Sequence, residues 1–168
     1  MKKGLLFWFS VLLCSCNDGD LQIEAIDFDS VAVQSCAAPV TVGTRIFFKI
    51  NQDEALILTL AANSLRNELS DGQIISTVPA QSQIVYRIFS GNLSSNYFCD
   101  AIPPTTPFVT EEILAQAGEV RVTTTQNADG IRFDHKIELS GISLVTETGS
   151  RITDLRINEF GTVTTTAP

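Results

Sequence analysis

From Leu21 onward, apolar residues recur with a period of two and rarely with the helical period near 3.6, so the chain reads as a succession of strands. Ile26 and Phe28 share one face while Asp27 and Asp29 take the other. Arg45 to Ile50 places Ile46, Phe48 and Ile50 on one side. After an Asn51-Gln52-Asp53 turn, Leu56, Leu58 and Leu60 repeat the pattern, so the pair reads as a hairpin. Asp71-Gly72 marks another turn before a strand over 73–78. Residues 83–89 alternate Ile84, Tyr86 and Ile88 against Val85, Arg87 and Phe89, apolar on both sides as a central strand requires. Val120 to Thr125 is β-branched and strand-like, and Asn127-Ala128-Asp129-Gly130 is a hairpin turn signal. Ile131, Phe133, Ile137 and Leu139 follow on one face, opposite Arg132, Asp134, Lys136 and Glu138. Gly141 interrupts the alternation before Ile142 and Leu144, which predicts a bulge or kink. Thr148-Gly149 turns into 151–160, and Val163 to Thr166 makes a last edge strand.

The alternation breaks between Asn92 and Gly118. Pro103-Pro104 and Pro107 forbid a regular ladder there. Thr110 has the chemistry of an N-cap, Glu111 and Glu112 fall in a first turn, and Gly118 stands just past an end, so the expectation is a short helix over 111–117. Short strands at this spacing predict an all-β, antiparallel two-sheet sandwich of immunoglobulin-like architecture with one short helix, a single domain over 21–168.

The first sixteen residues follow a different logic. Lys2-Lys3 precedes an uncharged, mostly apolar run from Gly4 to Leu13, about half the length needed to span a bilayer. The run ends in Leu13-Cys14-Ser15-Cys16, small residues at a cut site. A cysteine directly after Leu-x-Ser resembles the lipobox of bacterial lipoproteins. The resemblance implies removal of residues 1–15, a diacylglycerol (palmitate-type acyl chains) on the Cys16 thiol and acylation of the new amino terminus. Asn17-Asp18-Gly19-Asp20 then forms a polar tether. One acyl chain binds a membrane marginally, at about 0.8 kcal/mol per buried methylene, whereas two or three make the anchor permanent. The expected partner of Cys16 is therefore the lipid bilayer.

Cleavage removes Lys2 and Lys3 from 11 Lys+Arg, leaving 9 against 19 Asp+Glu, a net charge of −10. Such a surface is repelled by nucleic acid and anionic headgroups, which argues against a nucleic-acid partner. Cys36 and Cys99 remain, and in a secreted chain an even pair predicts a disulfide. Closing a loop of about 60 residues is worth on the order of 4 kcal/mol.

Candidate chemistry is sparse. His135, the one histidine, falls between Phe133 and Ile137 on an apolar face, where a packed core or rim histidine is favoured over a general base, since no motif nominates a nucleophile. The acidic pairs Asp18/Asp20 and Asp27/Asp29 and the loop around Asp129 do not match the ligand offsets of a calcium loop. Two distant cysteines and one histidine do not make a zinc site. No metal, cofactor or catalytic residue is expected, and the ligand-binding residues are not assigned. Phe47, Phe89, Tyr97, Phe98 and Phe108 are the aromatics left without a clear buried face. A sugar-stacking platform competes there with a loop packed down on its own side chains.

Asp29-Ser30-Val31 resembles the Asp-(Ser/Thr)-aliphatic O-glycosylation acceptor of Bacteroidota, and the acidic stretch after Cys16 resembles that phylum's surface-export signal. With Ile84-Val85-Tyr86-Arg87 and Tyr97-Phe98-Cys99 before Ile102-Pro103-Pro104, the chain resembles uncharacterised flavobacterial lipoproteins. That resemblance supplies no activity. Asn17 lacks the aspartate of an inner-membrane retention signal, so the expected location is the outer membrane, facing either the periplasm or the medium. The expected role is a non-enzymatic binding or accessory module for an envelope protein or glycan. The alternative is a hydrolase of envelope or extracellular polymers using paired carboxylates from different strands.

Overall fold

The computed structural model describes residues 26–152 and 155–167; Cys16, the 1–15 signal segment and the 16–20 tether lie outside them. In chain order the elements are β1 (Ile26–Asp27), β2 (Ile46–Asn51), β3 (Glu54–Thr59), β4 (Ile74–Thr77), β5 (Gln83–Phe89), α1 (Asn96–Cys99), β6 (Val109–Gln126), β7 (Arg132–Val145), β8 (Arg151–Ile152), β9 (Leu155–Arg156) and β10 (Glu159–Thr166). The main ladder runs β10-β7-β6-β5-β3-β2, and every pairing along it is antiparallel. β4 joins it on β6 and β8 on β7, while β1 and β9 form a small parallel pair.

The fold is an all-β sandwich of two packed sheets with one short helix. β6 belongs to both layers. Its first half, Val109 to Leu114, pairs with β5, and its second half, from Glu119, carries β4 on that same flank. Between the halves the strand bends. The β6–β7 register shifts on either side of Ala117, where Gly118 has φ 130° and Gly141 on the facing strand has φ 63°. A Cβ at position 118 would stand 2.5 Å from Ile142 Cδ1 and 3.0 Å from its Cα, so only glycine lets the two strands close up at the corner.

The core is what the two inner faces enclose. Phe47, Leu56, Leu58, Ile84, Tyr86 and Ile113 face Val120, Val122, Ile137, Leu139, Phe160 and Val163, and Phe28 meets Tyr86 edge-on at 6.3 Å. Lys49 is also buried on this inner side. Its Nζ donates to Phe28 O (2.7 Å) and Glu159 O (2.9 Å) and lies 5.5 Å from the Phe160 ring centroid. It thereby ties β2 to the chain after β1 and to β10. Burial pushes its pKa down, partly offset by the carboxylates of Asp29, Glu159 and Asp27.

Two expectations need correction. Residues 111–117 are strand, not helix: Ile113 and Ala115 are buried while Glu112, Leu114 and Gln116 are exposed, a period of two. Thr110 Oγ1 donates across the ladder to Ile88 O (3.1 Å), and Glu112 pairs with Arg87 on β5 at 2.6 Å. Capping chemistry is a local preference, and cross-strand pairing overrides it. The helix is instead the single turn at Asn96–Cys99. On β2, the Ile46-Phe48-Ile50 side faces outward, and the core side is Phe47 and Lys49.

Replacing Gly118 by alanine combines a positive φ with a backbone clash, so about 2–4 kcal/mol of stability should be lost. Gly91→Ala, where a Cβ meets nothing within 4 Å, should be nearly neutral. Denaturant unfolding of both variants checks the contrast.

Candidate functional site

The outer face of the β2-β3-β5-β6 layer is unusually apolar. Register places Phe48, Ile57, Val85 and Leu114 in one row across the four strands, with Ile46 beside it. A sheet face of this composition needs a cover. The chain supplies a partial one from the 90–108 connection, whose base is closed by paired backbone and Ser90 Oγ hydrogen bonds between Ser90 and Phe108. α1 lies inside that connection and turns its aromatics down onto the sheet. Phe98 stacks on Phe48 at 4.5 Å and 28°, while Phe89 meets Tyr97 edge-on at 4.9 Å. Such ring pairs are worth about 0.5–1.5 kcal/mol each beyond their burial.

The Cys36–Cys99 disulfide locks this cover. Its Cα atoms are 5.2 Å apart and it closes a loop with a sequence separation of 63. It joins the end of α1 to the start of the 36–45 loop, which runs along the edge of β2. That edge is itself closed at Phe48, which exchanges two backbone hydrogen bonds with Gln34, and at Ile46, whose carbonyl accepts from Ser35 Oγ (3.2 Å).

Between the 36–45 loop and α1 lies an open groove of about 770 Å³. Phe98 and Ile46 give it an apolar floor with the fully buried Phe48 behind them, and the disulfide borders it at Cys36. Ser35, Thr41, Thr44 and Arg45 supply its polar rim. Thr44 Oγ1 accepts from the Thr41 N–H at 3.0 Å, so the turn holds its hydroxyls in place. Arg45 Nε donates to Leu60 O at 2.8 Å, which fixes the plane of the guanidinium. The groove's volume lies in the range of small-ligand sites, and its mix of apolar floor and few polar groups is theirs too.

The structure places the sequence candidates as follows. Cys36 and Cys99 are bonded and sit at the groove. Of the five unassigned aromatics, Phe47 is in the core, Phe89, Tyr97 and Phe98 pack in the cover, and Phe108 is 57% exposed outside it. Tyr97 and Phe98 thus pack against Phe89 and Phe48, and Phe98 stays half-buried where it borders the groove. Ser30 of the Asp29-Ser30-Val31 sequence is exposed, and Asp29 Oδ1 accepts from the Glu159 N–H (3.1 Å). Asp129 holds a turn: the Arg132 and Ile131 N–H groups and the Arg132 guanidinium all donate to it, which pulls its pKa down to about 2. The rim residues Ser35, Thr41, Thr44 and Arg45 escaped sequence reasoning, because nothing local marks a loop that becomes a site only when a distant cysteine pins it.

His135 is fully buried within the other layer. Its Nδ1 lies 2.8 Å from Thr124 Oγ1 and its Nε2 2.8 Å from Thr165 Oγ1. Thr165 Oγ1 donates its one hydrogen to Asn67 Oδ1. Nε2 must therefore donate to Thr165, and in the neutral ring that burial favours Nδ1 accepts from Thr124. The chain of bonds ends in the 63–70 loop, and the ring's hydrogen-bond partners are two buried threonine hydroxyls and no carboxylate. Burial lowers its pKa, opposed by the charge of Asp134.

No family model, curated protein or solved structure matches this chain.

Two outcomes follow for the scaffold around the groove. A Cys36→Ala/Cys99→Ala variant should lose about 4 kcal/mol in denaturant unfolding and the near-ultraviolet dichroism of Tyr97. For His135, the folded pKa lies below the usual 6.5, so the unfolded chain takes up the proton first as the solution is acidified. Its stabilisation is complete above about 6.5 and declines as pH falls through 6.5 toward the folded value. His135→Phe should flatten this part of the stability-against-pH curve between pH 8 and 5; an unchanged slope would rule the linkage out.

Proposed function

We propose that this protein is a lipid-anchored binding module of the bacterial cell envelope, tethered through Cys16 and presenting the groove beside the Cys36–Cys99 bridge to its ligand. The observation that carries the reading is the groove itself. A covalently locked cover shields part of an apolar sheet face and leaves the remainder open, next to fixed hydroxyls and a fixed guanidinium. The lipobox resemblance at Leu13-Cys14-Ser15-Cys16 supports the anchor. The disulfide supports an oxidising compartment, since such bonds persist outside the cytosol. The acidic composition keeps the domain away from anionic headgroups while the tether holds it near them.

Binding is favoured over hydrolysis by the groove's chemistry. Cleavage of a glycosidic bond by acid–base catalysis uses two carboxyl groups flanking the bond. The residues lining this groove supply hydroxyls, one guanidinium and aliphatic or aromatic surface, but no carboxylate. That set can hold and orient a ligand.

Mass spectrometry of the mature amino terminus should find a diacylglycerol-modified, acylated Cys16, and Cys16→Ala should release an unprocessed or miscut species from the membrane. An unmodified terminus in the wild type would end the anchor proposal. Protease shaving of intact cells then separates the two outer-membrane orientations, with digestion expected for a domain facing the medium. Photocrosslinking from position 46 in whole cells should capture a discrete partner or ligand if the groove is the binding surface.

A further inference from the structure

We infer that the groove recognises a small organic acid: a carboxylate held by Arg45, attached to an aromatic or aliphatic body lying on Phe98 and Ile46. This rests on the binding-module reading and specifies its ligand class. Three observations carry it.

The first is charge. The chain has a net charge of −8, and its other exposed cations are largely paired. Arg66, Arg87, Arg121, Arg132 and Arg156 each hold a carboxylate within 3.6 Å, and Lys136 holds Glu138. Among the described residues, Arg45 and Arg151 have no carboxylate partner, and of the two only Arg45 lines the groove. Its Nε donates to Leu60 O, and among the described residues neither Nη group has a protein acceptor. A guanidinium with one edge fixed is preorganised to donate the other to an anion, and its planar fork matches a carboxylate.

The second is the neighbourhood of that charge. Thr41 and Thr44 stand on the same rim with hydroxyls 3.4 Å apart, so one of the two can donate to a remaining lone pair of a monoanion, while the Ser35 hydroxyl is spent on Ile46 O. The groove lining contains no second cation, so it fits a single carboxylate better than a phosphate dianion.

The third is the floor. Ile46 is 57% exposed and lies on the same side of β2 as Phe48, beside the Phe48–Phe98 stack. A hydrocarbon or ring laid there removes this surface from water, at about 25 cal/mol per Å². An added peptide strand fits less well, because Gln34 and Ser35 already occupy the backbone groups of Phe48 and the carbonyl of Ile46 on the β2 edge.

Isothermal titration calorimetry on the full chain, with 4-phenylbutyrate and its uncharged analogue 4-phenylbutyramide, tests the assignment. The acid should bind with sub-millimolar affinity and the amide at least tenfold more weakly. Arg45→Gln should weaken the acid about tenfold and leave the amide unchanged. Ile46→Glu, at a position 57% exposed, should weaken the acid more than the amide, with unchanged denaturant unfolding as the check on the fold. Absence of acid binding, or equal loss of both ligands in Arg45→Gln, would overturn the inference. If acid binding fails while crosslinking from position 46 still captures a partner, the ligand class falls and the binding module stands. If both fail, the groove is not the binding surface.

Discussion

One strand holds the architecture together. β6 runs through both layers, so the two sheets are not independent surfaces pressed face to face but one ladder folded at a corner. The fold has to occur where β6 and β7 can approach without side chains between them. Gly118 meets that condition against Ile142, and Gly141 releases the facing strand. A hinge of this kind fixes the angle between layers through backbone geometry. The inner faces then close over Phe28, Tyr86 and Phe160, and Lys49 ties β2 to β10 from within. It follows that the outer face of the β2-β3-β5-β6 layer is oriented by the same corner, with its apolar row turned away from the core.

That outward row is what makes a binding surface possible. Left bare, four apolar side chains across adjacent strands would invite association with other chains. The 90–108 connection covers one end through α1, and the Cys36–Cys99 bond prevents the cover from lifting. The prolines that break the ladder after Cys99 also keep this connection from extending β5 as another strand. The groove is the space left where the 36–45 loop and α1 meet over the sheet. Its walls are held covalently at one point and by hydrogen bonds at Thr44 and Arg45, so its shape does not depend on a ligand.

The strands were legible wherever one face meets water and the other the core. β3, β5 and the first part of β7 alternate as their residues suggest, and the Asn127–Gly130 turn follows from its side chains. His135 was readable as a buried residue because its neighbours at 133 and 137 are apolar. The disulfide was readable because only one pairing remained. Two regions misled for a shared reason, namely that local pattern does not say which neighbours a segment will meet. In β6, Thr110, Glu111 and Gly118 imitate helix punctuation, but Arg87 and Ile88 across the ladder decide the conformation. In β2, both sides are apolar enough to face inward, and the choice is settled by what covers the other side, a loop whose position depends on a cysteine 63 residues away. The groove inherits that non-locality entirely.

The two cations of this edge, Lys49 and Arg45, show how a scaffold separates structural from available charge. Lys49 points inward, and its ammonium is enclosed by two carbonyls and an aromatic face. Removing it would leave buried acceptors unpaired, so its chemistry is committed to the fold. Arg45, four residues earlier and just ahead of β2, gives one N–H to Leu60 and keeps its remaining donors at the surface. A place inside the sheet and a place at its rim thus assign opposite roles to two residues that composition counts alike. An acidic chain could readily have neutralised Arg45 as it did Arg66, Arg87, Arg121, Arg132 and Arg156. That it places hydroxyls and aromatic surface there instead is the physical basis for reading this corner as the place where something else binds.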